Sequence, residues 1–159
     1  MQPKIELIPQ KQLVGYVIEM SLINNKTHDL FSRFMPTKKQ IENTISSDIF
    51  EVMVYDLSYF KNFNPNHSFI KWAALEVSTP KIHHKDMQSL TLNEGMYAVF
   101  RYKGLPQEFG MFMNSILREW IPQSHYEIDH RPHFNILGKA YKNNHPDSEE
   151  DVYIPIKKK

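Results

Sequence analysis

The sequence predicts a mixed α+β fold: two strand-helix-strand-strand (βαββ) repeats related by pseudo-twofold symmetry, with an antiparallel sheet forming a concave cleft and two helices on its opposite face. Three observations predict it. The order strand, helix, strand, strand occurs once in each half of the chain. Residues echo between the halves: Tyr16 and Tyr97 open corresponding strands, "FEVMVYD" at 50 matches "FNILGKAY" at 134, and "FNPN" at 63 matches "NHPD" at 144. Neither half covers its own sheet face, so the two are expected to join side by side. The 159 residues then form one domain, with repeat one over about 4–78 and repeat two over about 87–157.

Along the chain, Tyr16, Ile18, Met20 and Leu22 alternate with other residues at the period of a half-buried strand, with Pro9 and Gly15 marking a bend or bulge near its start. In "NNKTHDLFSRFMPTKKQIENT", Leu30, Phe31, Phe34, Met35 and Ile41 keep helical spacing. Thr27 or Asp29 is placed to cap that helix, and Pro36 to break or kink it. Two strands follow, "IFEVMVYD" and "FIKWAALEVS", joined by the turn-rich "NFNPNHS". After a link at 80–86, "SLTLNEGMYAVFRYKG" reads as a strand ended by Gly104. The clearest helix is "PQEFGMFMNSILREW", where Phe109, Phe112, Met113, Ile116, Leu117 and Trp120 form one apolar stripe, Pro106 starts it and Pro122 stops it. Last come "YEIDHRPHFNILG", a polar "KNNHPDSEED" loop and the strand "VYIPI".

Because side chains alternate across a strand, the strands sort into two faces. Phe50, Val52, Val54, Phe69, Ala73, Leu75, Val77, Phe134, Ile136, Val152, Ile154 and Ile156 form an aliphatic set expected to pack on the helices. The complementary set mixes rings with polar groups: Glu51, Met53, Tyr55, Trp72, Glu76, Phe100, Tyr102, His133, Asn135, Leu137 and Tyr153. Such a face suits a concave binding surface for an aromatic or amphipathic compound; it also suits a second, partly exposed sheet face with aromatics paired across strands.

Composition narrows the function classes. Net charge is +1, with 19 basic and 18 acidic residues interspersed, so the electrostatic footprint of a nucleic-acid binder is absent. No stretch approaches a membrane span or a signal peptide, so a soluble, cytoplasmic protein is expected. With no cysteine there are no disulfides, thiolate metal sites or cysteine nucleophiles. Aromatic residues reach 13%, enough to thicken a core or line a cavity for a flat ligand. His125, His130 and His133 lack the spacing and carboxylate of a metal site, so neither metal nor cofactor is expected.

"GMYAVFRYKG", the helix ending in "REWIPQS" and "YEIDHRPHFNILGKAYKNNHPDSEEDVYIPIK" resemble the GyrI-like small-molecule-binding domain, the effector-binding domain of AraC-type and MerR-type multidrug regulators. The resemblance extends through "LVGYVIEMSLINNKT", "FMPTKKQI" and "FEVMVYDLSYFKNFNPNHSFIKWAALEV", and so covers nearly the whole chain. It implies paired repeats around an aromatic cleft that binds lipophilic cations or other amphipathic compounds. It also implies service as a transcriptional drug sensor or a stand-alone binding protein, with some relatives similar to toxin-protection proteins and a subset hydrolysing cyclopropane-bearing genotoxins. The family motif ends "RPHFE", with the glutamate at the cleft floor; here that position is Asn135.

An amide donates and accepts but carries no charge, so a ligand cation loses its partner at Asn135. By the repeat, Glu51 in "FE" stands where Asn135 stands in "FN", facing either the cleft or solvent. Candidate ligand-binding residues are therefore Glu51, Tyr55, Trp72, Phe100, Tyr102, Asn135, Leu137 and Tyr153, with no catalytic residue assigned. A hydrolase would need Glu51, Glu127 or a tyrosine, so the residues favour a binding protein while leaving the hydrolase open. No residues remain for a helix-turn-helix, so the chain is expected to bind a small molecule rather than DNA or a membrane. A regulator protein is a further candidate partner, either in effector signalling or in a gyrase-inhibitor-like interaction, and both monomer and homodimer remain open.

Overall fold

In a computed structural model, which describes residues 2–159, the strand-forming runs divide wherever turn residues interrupt them. The first run becomes β1 (Lys4–Ile8) and β2 (Lys11–Met20), split at Pro9, and Leu22 lies beyond the strand, exposed. Then follow helix α1 (Thr27–Thr37), β3 (Thr44–Val54) and β4 (Phe69–Val77). The predicted single strand at 89–104 is two, β5 (Gln88–Leu92) and β6 (Gly95–Lys103). A second helical segment covers 106–123 and contains α2 (Phe109–Ser115) and α3 (Ile121–Gln123). The chain closes with β7 (Tyr126–Ile128), β8 (His133–Leu137) and β9 (Glu149–Lys158).

The helix signals are partly redirected. Pro36 lies inside α1, which ends one residue later at Thr37, and Lys26 is its N-cap residue. Thr27 is already helical, and its backbone N–H donates to Asn25 Oδ1 at 2.9 Å. Pro122 likewise lies inside the second helical segment, one residue before its end. A π turn over Ile116–Trp120 precedes it, widening the ladder where a proline ring would meet the carbonyl four residues back, and the helix ends at Gln123.

All strand pairings are antiparallel, in the order β1-β6-β9-β8-β3-β4-β2-β5, with β7 added to β9. This order reads the same from both ends once each strand is exchanged for its counterpart in the other repeat. Glu51 pairs directly with Asn135 at the centre, so the pseudo-twofold axis passes between them. The two lie 84 residues apart in sequence, and the same spacing relates Phe50 to Phe134 and, through the β1–β6 and β5–β2 registers, Ile8 to Leu92. Each repeat sends its first strand to the edge of the other, β1 beside β6 and β5 beside β2, which fastens the halves together. The register corrects one echo: Tyr16 is equivalent to Phe100, both opposite the strand neighbours of the central pair, and Tyr97 to Leu13.

Gly15 lies inside β2 without a break in pairing. A Cβ there would come within 2.0 Å of the Ala73 carbonyl oxygen, so the close approach of β2 to β4 requires glycine.

The α+β class, the antiparallel sheet and the two helices agree with the sequence; the grouping of side chains into faces does not. Residues opposite each other in the ladder share a face, which puts Glu51, Asn135, Ala73, Val152, Tyr16 and Phe100 on one side. Leu30 and Phe34 of α1 pack there on Val14, Tyr16, Ala73, Leu75 and Val77. Phe109, Phe112, Met113 and Trp120 pack there on Ala98, Phe100, Tyr102, Val152 and Ile154. Glu51 and Asn135 therefore stand on the helix-bearing side. Phe50, Val52, Trp72, Phe134 and Tyr97 are buried on the other side, into which the sheet curls. The predicted sets slip by one residue between β3 and β4 and between β8 and β9.

Among the described residues no helix is long and apolar enough to cross a membrane.

Candidate functional site

α1 covers β2 and β4, and the second helical segment covers β6 and β9. The central strands β3 and β8 lie between them in the sheet, and their helix-side face forms the floor of the candidate site. Neither helix cluster includes a side chain of β8, and of β3 only Ile49 packs against that of α1.

Four polar side chains meet on this floor. Asn135, 2% exposed, donates from Nδ2 to Glu51 Oε1 at 3.2 Å. Lys71 Nζ lies 3.4 Å from Glu51 Oε2 and donates to Thr27 Oγ1 at 2.9 Å, so it bridges β3 to the first turn of α1. Glu150, on β9, is the pseudo-twofold counterpart of Lys71, each lying two residues before the strand neighbour of the central pair. Burial and the negative charge of Glu51 push the Glu150 carboxyl up to about 7, against the opposing pull of Lys71. Tyr141, from the β8–β9 loop, lies within the field of both acids, and burial together with those charges raises its hydroxyl above the ordinary phenol value.

Rings close one end of the floor. Tyr55, Tyr59, Phe60 and Phe69 cluster with Met20 and Met53. The centroid of Tyr55 lies 4.4 Å from that of Tyr59 and 5.0 Å from that of His133, while Phe60 stacks on His133 at 5.3 Å. Burial drives the His133 ring down to about 3, with the Arg131 charge acting the same way, so it is neutral at ordinary pH. An open depression of about 470 Å³ adjoins this end, lined by Tyr55, Asp56, Leu57, Ser58 and His130. At the floor itself the Glu51 and Lys71 side chains are only 16% and 12% exposed. A ligand reaching the carboxylate must therefore move side chains.

The candidate residues divide by face. Glu51, Tyr55 and Asn135 come together at the floor and its ring-lined end. Phe100, Tyr102 and Leu137 share that side of the sheet, Phe100 and Tyr102 beneath Phe109, Phe112 and Trp120, with the Tyr102 hydroxyl donating to the Leu105 carbonyl. Trp72 and Tyr153 are on the opposite side, Tyr153 stacked on Phe134 at 4.4 Å. Glu127 lies at the sheet margin on β7, paired with Lys157 at 3.8 Å and away from the floor. Sequence reasoning missed Lys71, Glu150 and Tyr141. Lys71 is the one basic residue in "FIKWAALEV", and pairing that strand outward from Glu51 would have found it.

The "RPHF" segment is structural. Arg131 donates from Nε to Asp129 at 2.8 Å and from Nη2 to the carbonyls of Met96 and Ile156, while the Tyr97 hydroxyl donates to the Pro132 carbonyl. These bonds fix the entry into β8, and thereby the face on which Asn135 emerges.

A model of the GyrI-like small molecule binding domain matches residues 1–157. The chain belongs to that family. Among solved structures, the GyrI-like domain is similar to SAV2435 bound to tetraphenylphosphonium, at 13% identity and TM-score 0.70, with 99% of this chain and 94% of that one covered. It is similar to EcmrR in a DNA complex at 10% identity and TM-score 0.73; 99% of this chain is covered, but it spans only 58% of the EcmrR chain. A hydrolase from Listeria innocua shares 9% identity at TM-score 0.61, over 98% of this chain and 92% of that one. At these identities the likeness is one of fold. A search of curated proteins gave no match.

Proposed function

We propose that this GyrI-like domain binds aromatic or amphipathic small molecules over the Glu51–Asn135 pair and works in the cytoplasm as a drug or toxin sensor module or a sequestering protein. One observation carries the reading: a mostly buried carboxylate, hydrogen-bonded to the amide of the other repeat, sits between two helices and beside a cluster of rings. The family's cleft acid is absent at Asn135, and Glu51 supplies a carboxylate from the pseudosymmetric side. Tyr55 and the rings beside it give the ligand apolar contact, and Phe100, Tyr102 and Leu137 shape the wall behind. The tetraphenylphosphonium bound by SAV2435 supports a bulky aromatic ligand class. The DNA complex of EcmrR supports a link to transcription.

Calorimetric titration with tetraphenylphosphonium and uncharged triphenylphosphine oxide tests the reading. Saturable binding of at least one compound is expected, weakened about tenfold in Glu51→Gln and unchanged in the exposed control Glu127→Gln. No saturation by either compound, or no effect of Glu51→Gln, contradicts it.

A second reading, hydrolysis of a reactive xenobiotic, draws on Glu150. A carboxyl titrating at about 7 beside Glu51 is poised as a general base near neutral pH. It requires turnover beyond one equivalent and its loss in both Glu150→Gln and Glu51→Gln; stoichiometric binding without product rules it out.

A further inference from the structure

Lys71 supplies the floor with a positive charge of its own. Its ammonium lies 3.4 Å from Glu51 Oε2, with both side chains mostly buried, while Asn135 occupies the other carboxylate oxygen. On the α1 side Lys71 reaches the first turn of the helix, where the backbone dipole is positive, and donates to the Thr27 hydroxyl; Asp29 of that turn forms no ion pair with it. Glu51 is thus the group that holds Lys71 in place.

Resting on the binding reading above, we propose that Lys71 sets the charge specificity of the site: its ammonium takes the place on Glu51 that a ligand's cation would occupy, so the site selects uncharged aromatic ligands over permanent cations. A quaternary cation must expel the ammonium from a site where water is scarce, and must then share one carboxylate with it or drive it toward the helix end. An uncharged ring system leaves the pair intact. It can also accept a hydrogen bond from the lysine or donate one to a Glu51 oxygen. The pseudo-twofold counterpart strengthens the argument. Glu150 supplies a second full negative charge only above about pH 7, so at neutral pH the four groups carry little net charge with which to attract a cation.

The test is calorimetric titration at pH 7 of the wild type, Lys71→Met and Lys71→Met/Glu51→Gln with three probes of similar shape: tetraphenylphosphonium, triphenylphosphine oxide and triphenylacetate. Methionine keeps the length of the lysine stem and removes its charge, and thermal melts confirm that each variant is folded. The wild type is expected to prefer the phosphine oxide. Lys71→Met is expected to gain at least tenfold in affinity for tetraphenylphosphonium, and the double variant to lose that gain. A wild type that binds the phosphonium as tightly as Lys71→Met does, or a Lys71→Met protein that binds only the neutral probe, overturns the inference and leaves the binding reading standing. A wild-type preference for triphenylacetate also overturns it, since Lys71 would then be an anion receptor. Failure of all three probes on every variant overturns both.

Discussion

At the pseudo-twofold axis the first repeat contributes Glu51 and Lys71, and the second contributes Asn135 and Glu150 at the equivalent positions. On the other side of the same strands, Phe50 and Phe134 face each other with centroids 5.6 Å apart. At these two positions both halves carry the same ring, while the polar positions differ, acid against amide and base against acid. The difference separates two demands. Burying the closed side of a curled sheet needs dense packing at its centre, which Phe50 and Phe134 supply from both repeats. The polar floor has no such requirement, and asymmetry gives it one acid paired with a lysine, one amide and one carboxyl that burial pushes up to about 7.

The largest expected effect attacks the shared part. Phe134 is fully buried and stacks on Tyr153 at 4.4 Å, so Phe134→Ala should cost roughly 3–5 kcal/mol in urea denaturation. A loss below about 1 kcal/mol would mean that the closed side is not one core built from both halves.

Making the polar floor symmetric should also destabilise it. In Asn135→Glu two carboxylates meet across the axis with Lys71 as the nearest cation, and both cannot ionise at that separation. A loss of roughly 1–3 kcal/mol at pH 8, largely recovered at pH 5 as one acid protonates, is expected in the same assay. Equal stability at both pH values would show that the two side chains do not share a site.

A smaller effect isolates Glu150. Its native pKa lies above the ordinary 4.5, at about 7, so between those values the native state keeps a proton that the unfolded chain has released. By linkage, wild-type stability falls across that window, by an amount on the order of 1–2 kcal/mol allowing for partial exposure, and this contribution is constant above it. The difference between wild type and Glu150→Gln should therefore grow from about pH 4.5 to 7 and then level off. A pH-independent difference would place Glu150 in water.

Much of this comparison was legible in the sequence. The internal repeat, the equivalence of "FE" at 50 and "FN" at 134 and the helix stripe from Phe109 to Trp120 hold, although each repeat carries an additional first strand, β1 or β5, that the predicted order lacked. The relative faces of neighbouring strands were not legible. β4 carries Trp72 and Ala73 on opposite sides, and both are buried, so hydrophobic alternation cannot say which faces the helices. Cross-strand pairing decides it, by setting Ala73 opposite Glu51. The same ambiguity put Trp72 and Tyr153 among the candidates and hid Lys71. Glu150 was hidden for another reason: "DSEED" has the composition of a loop, yet β9 begins at Glu149 because β6 offers a partner edge. The Tyr16 and Tyr97 echo misled because identical residues need not be equivalent, and only the ladder shows that Phe100 stands where Tyr16 does.

Ligand binding over the polar floor between the helices is the central claim to be tested. The direct test is a ¹H–¹⁵N chemical-shift titration of the assigned protein with triphenylphosphine oxide. It should show saturating shifts at the backbone amides of Glu51, Lys71, Asn135, Tyr141 and Glu150. Shifts confined to Trp72, Tyr97 and Tyr153, or to Asp56, Ser58 and His130 around the open depression, would contradict it.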